Sequence, residues 1–176
     1  MRRNLVLGAS FIGLGIAGLL FLEAGVGPLS MGSRPGILGG PWGVPKGGTV
    51  FASNGEQIYY TGVSRRTGRL PFQGGPMWLW MHGGGCAVCH GVHGRGGVPV
   101  MMGTKIPSDI RYARLIEVHH EDPVEPAHPL YTNTLIQRAL THGVNPSGRE
   151  LDWTMPRWRI SDEDFGDLLA YLKALK

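Results

Sequence analysis

The sequence predicts an all-α, mainly helical domain over residues 49–176. It stands behind a single N-terminal membrane-spanning helix (residues 1–23) and a Gly/Pro-rich linker (residues 24–48). Three observations lead there. Residues 5–22 are an uncharged, largely apolar run. Residues 24–48 are dominated by glycine and proline. Beyond residue 49, apolar side chains recur at helical spacing, and no strand-like alternation of any length appears.

The apolar run is long enough to matter. Its eighteen residues, at ~1.5 Å each, span roughly 27 Å as a helix, about the hydrocarbon thickness of a bilayer. A cleaved signal peptide is the competing reading, but its apolar region is usually shorter, and Leu22 occupies the place where a small residue is wanted before a cut after Ala24. An uncleaved anchor is therefore expected. Arg2 and Arg3 place the N-terminus in the cytoplasm and the rest of the chain on the outer, periplasmic face of the cytoplasmic (inner) membrane. Within the run Ala9, Gly13 and Ala17 form a small-residue face that could dock on integral membrane subunits. The linker composition disfavours both helix and sheet.

The formal net charge of +4 does not indicate nucleic acid. Arg2, Arg3, Arg34 and Lys46 supply the excess, and from residue 49 onward 13 Lys/Arg stand against 12 Asp/Glu. A basic tail on a near-neutral domain is a membrane-orientation signal, so no nucleic-acid partner is expected.

Within the domain, Ser53 or Asn54 caps a first short helix over residues 55–60. Residues 65–76 read as a loop, and Trp78, Leu79, Trp80 and Met81 as core packing. Ser108 or Asp109 is expected to cap a helix running to about Glu117. The run His119, His120, Glu121, Asp122, Glu125 and His128 is broken by three prolines and reads as a solvated loop, not a metal site. Asn133, with Thr132, begins a helix through His142 that Gly143 ends in the left-handed conformation. Ser161 and Asp164 resemble a capping box for the last helix, whose apolar stripe is Phe165, Leu168, Leu169, Leu172 and Leu175.

The chemistry is concentrated in Cys86-Ala87-Val88-Cys89-His90, which holds the only two cysteines of the chain. Two thiols three positions apart on a helical turn reach the two vinyl groups on one edge of a porphyrin, and the histidine that follows lies under the ring, where it can bind the iron. The spacing is that of a c-type haem attachment site. A thioredoxin-like pair would need alternating strands and helices around it, and a zinc site a second pair of ligands. Neither is present in the sequence. His90 is thus the expected proximal iron ligand, with one covalent haem c as cofactor.

The second axial ligand should come from a loop downstream. Met155, between Trp153 and Trp158 and followed by Pro156, fits, and a thioether ligand raises the reduction potential. Met101, Met102, His119, His120, His128 and His142 compete for the position. Arg157 and Arg159 are candidates to pair with the haem propionates and are equally readable as surface charges. Trp158 is a candidate for packing on the ring.

On these residues the chain resembles the class I cytochrome c family. The resemblance rests on Gly55 and Tyr59 in the first helix, Cys86 to His90, Met155-Pro156, and Leu169-Ala170-Tyr171-Leu172 in the last helix. It implies a cytochrome c-like fold in which Gly55 and Tyr59 pack against Tyr171 and Leu172. It also implies covalent links at Cys86 and Cys89, His90 as proximal and Met155 as distal ligand, and a proline carbonyl, from Pro99 or Pro107, orienting the proximal histidine. One departure is clear: 26 residues separate Tyr59 from Cys86, where small members of the family have a few. This insert is expected to form an added flap near the haem edge.

The function expected from the whole is electron transfer, not catalysis, because the sequence supplies no convergent acid–base set beside the haem. A membrane-anchored carrier would pass single electrons between a quinol-oxidising complex and a terminal oxidase or reductase. The alternative is a fixed haem-bearing subunit of a larger membrane oxidoreductase complex. An enzyme or gas sensor with an open distal site is a third reading.

Overall fold

A computed structural model describes residues 49–99, 105–117 and 129–176, and these fall within one compact unit. The expected anchor (1–23) and linker (24–48), together with Met101, Met102, His119, His120 and His128, lie outside the described residues. Among the described residues no helix is long and apolar enough to cross a membrane.

Helix α1 (Asn54–Thr61) begins where Ser53 accepts the Glu56 N–H on its side chain, and it ends at Gly62 in the left-handed conformation. Helix α6 (Asp162–Ala174) begins in the same way at Ser161, which accepts the Asp164 N–H. The two helices cross at Gly55, where a Cβ would stand 2.0 Å from the Asp167 carbonyl oxygen. Only a residue without a side chain permits that approach. Tyr59, one turn on, is fully buried and lies 5.1 Å from Tyr171, ring centre to ring centre. The helix crossing implied by the family resemblance is therefore present.

Helix α5 (Asn133–His142) is capped by Thr132 and closed by Gly143 at φ +67°, and it lays Ile136, Ala139 and Leu140 on the core. With Ile58, Leu70, Phe72, Leu79, Trp158, Leu168 and Leu172 these form one apolar cluster.

Between α1 and the cysteines the structure differs from the expected loop. Strands β1 (Val63–Ser64) and β2 (Gly68–Arg69) make a small antiparallel hairpin. Strand β3 (Phe72–Gln73) crosses the molecule to pair antiparallel with β4 (Arg157–Trp158), in register Phe72 to Trp158 and Gln73 to Arg157. The pairing extends on both sides: Arg159 N–H donates to the Pro71 carbonyl (2.8 Å) and Gly75 N–H to that of Trp153 (3.0 Å). The insert is a strap sewn to the Met155 loop. Helix α2 (Met77–His82) follows and buries Leu79, but Trp80 and Met81 are exposed, at 49% and 69%. The expectation that this whole cluster is core therefore holds only in part: a six-residue helix turns one face inward and the other out.

The hairpin is held by Asp164, which does not complete a capping box. Its fully buried carboxylate accepts from Ser64 Oγ (2.7 Å), Arg66 Nη1 (2.8 Å), Asn54 Nδ2 (2.9 Å) and Thr67 Oγ1 (3.3 Å). Burial pushes its pKa up, but hydrogen bonds from Ser64, Asn54, Arg66 and Thr67 outweigh it and hold the carboxyl below the ordinary range. One carboxylate thus ties α1, the insert and α6 together.

The helix expected from Ser108 or Asp109 to Glu117 is shorter, only α4 (Tyr112–Leu115), with no side-chain cap. Asp109 is engaged instead by Arg111, whose N–H and guanidinium it accepts at 2.5–3.0 Å. That local turn competes with a helix start, as short acidic side chains do.

Candidate haem-attachment site

The attachment motif forms α3 (Ala87–His90), a single helical turn. His90 N–H donates to the Cys86 carbonyl (2.8 Å), and Cys89 N–H reaches the same oxygen (3.2 Å). This turn sits directly on α1: at Gly85 a Cβ would stand 2.4 Å from the carbonyl oxygens of both Ile58 and Tyr59. Gly85 N–H donates to the Tyr60 carbonyl (3.2 Å). The Tyr59 hydroxyl donates to the carbonyl of Gly91 (2.6 Å), the residue after the histidine. The motif is thus fixed from both ends by the first helix.

Cys86 and Cys89 are thiols, not joined to each other. Burial, reinforced by the neighbouring Cys89, pushes the Cys86 thiol up to about 12, and burial alone takes Cys89 to about 11. Burial thus favours the neutral thiol at both positions. Cys86 faces an apolar cavity lined by Ile58, Leu70, Leu140, Trp158 and Leu168.

His90 is buried, and its Nδ1 lies 2.8 Å from the backbone carbonyl oxygen of Ser108. A carbonyl only accepts, so Nδ1 carries a proton, and in the neutral ring the lone pair is then on Nε2. That is the tautomer of a histidine that binds a metal through Nε2 with its other nitrogen anchored. The acceptor is not a proline carbonyl. Pro107's carbonyl is occupied by Gly97 N–H (2.9 Å), and with Ile110 N–H on the Gly94 carbonyl (2.8 Å) it brackets Ser108 and presents that carbonyl to the ring. Pro99 is not the acceptor either. A backbone acceptor leaves no side-chain signal in a sequence, which is why Ser108 is not legible there.

The donor set fits a haem c: two thiols on one turn and an imidazole with the required tautomer beside them. Held there, the haem would supply a reversible ferric/ferrous couple. Met155 is half-buried and packs on the same apolar cluster as Cys86. Its loop is shaped from within by Asp152, which accepts from Thr154 N–H (3.0 Å) and Oγ1 (2.8 Å). These bonds from Thr154 hold the Asp152 carboxyl below its ordinary range.

Arg157 is engaged by the loop itself. Its guanidinium donates to the carbonyls of Leu151 (2.7 Å), Asp152 (3.0 Å) and Met155. Backbone oxygens of the loop are its partners among the described residues. Trp158 is a core residue, 5% exposed and 4.9 Å from the Phe72 ring. Arg159 is exposed and lines an open groove with Pro71, Thr141 and His142. His142 is exposed too, with Nδ1 2.7 Å from Thr141 Oγ1. Among the described residues no group of three or more His, Cys, Asp or Glu could hold a further metal ion.

A helical turn bearing two thiols and an anchored imidazole, cradled by crossing N- and C-terminal helices, defines a haem-binding electron-transfer domain. The family model described as cytochrome c matches residues 80–176, and the chain belongs to that family, in its class I form with covalently attached haem c. The match begins at Trp80, after α1 and the strands of the insert. Comparison with curated proteins and with solved structures yields no match.

Proposed function

We propose that this protein is a membrane-anchored single-haem carrier that moves one electron at a time, with His90 and Met155 as the axial ligands. The observation that carries this reading is the bond between His90 Nδ1 and the Ser108 carbonyl, which sets the metal-binding tautomer beside Cys86 and Cys89. Met155 is assigned the distal position because it lies on an irregular loop that is braced on three sides: by Asp152, by Arg157 and by the β3 strap. A braced loop keeps the ligand set the same in both oxidation states, which is what low-cost electron transfer requires. Residues 5–22 serve as the anchor and place the domain on the outer face of the cytoplasmic membrane. The partners are a quinol-oxidising donor and a terminal oxidase or reductase.

The test is the absorption spectrum of the ferric holoprotein, native and Met155→Ala. Methionine ligation gives a weak sulfur-to-iron charge-transfer band. The native protein should show it and the variant should lose it. A native protein without the band contradicts Met155 as ligand.

A fixed haem-bearing subunit of a larger complex is the second reading. The exposed Met77 and Trp153, 72% and 66%, favour it, since both are large apolar side chains a partner could cover, and the Trp153 backbone is bonded to Gly75, two positions before Met77. Co-purification with integral subunits after detergent extraction separates the two readings.

A further inference from the structure

We propose that Arg157 is a positioning residue for Met155, holding the loop from its inner side so that the sulfur stays on the iron. The inference rests on Met155 being the distal ligand.

Three carbonyls converge on one guanidinium, those of Leu151, Asp152 and Met155. They bracket the Met155 backbone, whose own N–H donates to the Asp152 carbonyl (3.1 Å). Among the described residues no acidic side chain lies within ion-pair distance of Arg157. Its partners among the described residues are backbone dipoles. Such charge-assisted bonds are about twice as strong as neutral ones, and the planar fork can hold several acceptors at once.

The fold makes room for this clamp. Gly143, which ends α5, has no side chain, and a Cβ there would stand 2.0 Å from Arg157 Nε and 2.3 Å from Cζ. The guanidinium fills the space that any other residue would occupy. Its backbone in turn is fixed by pairing with Gln73 of the insert. The insert, Gly143 and Arg157 therefore form one device whose outer end is Met155. Asp152 and Thr154 do not replace it: their mutual bonds are local, and the one contact the Asp152 side chain makes beyond the loop, among the described residues, is an ion pair with Lys105 (3.6 Å), whose side chain is 63% exposed.

The experiment is a pH titration of the ferric holoprotein, following loss of the sulfur-to-iron band as pH rises, with thermal unfolding measured in parallel. Arg157→Gln should lower the midpoint by about one pH unit, a tenfold weaker hold on the sulfur. Arg157→Lys should fall between the two, because an ammonium cannot span three carbonyls. Gly143→Ala should act like Arg157→Gln by displacing an unaltered guanidinium, so the proposal remains testable if Arg157→Gln fails to fold. Gly148→Ala is the control: it has the same left-handed backbone, φ +79°, with nothing within 4 Å of the added Cβ, and should leave the midpoint unchanged. An unchanged midpoint in Arg157→Gln, whatever its thermal stability, overturns the proposal. A native protein without the band overturns the Met155 reading itself, and the clamp with it.

Discussion

His90 donates its Nδ1–H to the carbonyl of Ser108 across 2.8 Å, a bond that spans eighteen positions of the chain. Its acceptor is backbone, so the side chain of Ser108 is dispensable. Ser108→Ala should leave the haem spectrum and potential unchanged. Gly96→Ala should not, because at φ +58° its Cβ would stand 2.0 Å from the Pro107 oxygen and 2.5 Å from that of Ser108. Moving that carbonyl weakens the bond and makes the imidazole a poorer donor to ferric iron. The reduction potential should rise, and stability should fall by roughly 1–3 kcal/mol from the forced contact. Potentiometry and thermal melts of the two variants check this.

Gly55→Ala should destabilise the domain without altering the ligands. The added methyl meets the Asp167 carbonyl at 2.0 Å, so α1 and α6 must separate. The expected loss is about 1–3 kcal/mol or more, as for an overpacked core. Denaturant unfolding measures it.

Acid should unfold this domain partly through Asp164. Its folded pKa is depressed, so its contribution is fully present above the unfolded value near ~3.9 and disappears as pH falls through the folded value. The midpoint of denaturant unfolding should therefore drop below about pH 4, and Asp164→Asn should flatten that drop. At neutral pH the variant should be less stable by roughly 1–3 kcal/mol, since buried donors lose a charged acceptor. A variant with the wild-type acid profile would show that other carboxylates carry the effect.

Phe72→Ala should cost about 3–5 kcal/mol, the usual loss for a buried aromatic. Phe72 is 6% exposed and sits 4.5 Å from the Trp80 ring and 4.9 Å from that of Trp158, so its removal empties the seam between strap and loop. Thermal unfolding of the holoprotein checks it.

The parts legible in the sequence are those whose causes are local. Ser53, Thr132 and Ser161 each cap the helix that follows by accepting the N–H three residues ahead, Gly143 ends one, and the Cys86–Cys89–His90 spacing carries its own chemistry. The parts not legible depend on distant partners. Strands β3 and β4 have two residues each, too few for alternation to register, and each becomes a strand only because the other is there. Asp164 looks like a capping-box residue until the insert brings Ser64, Arg66 and Thr67 to it. Nothing in the sequence around Arg157 shows that Gly143, fourteen positions earlier, leaves the hollow its guanidinium fills. Asp109 misleads in the other direction, since its turn with Arg111 preempts the helix its type suggests.

The central claim, a closed six-coordinate haem that carries one electron, is tested most directly by a potentiometric titration of the holoprotein, run under argon and again under carbon monoxide. With Met155 as the proposed distal ligand, a single one-electron wave is expected whose midpoint is the same in both atmospheres, because the sixth position of the ferrous iron would be taken. A midpoint that rises under carbon monoxide would mean that the gas binds ferrous iron readily, and would contradict it.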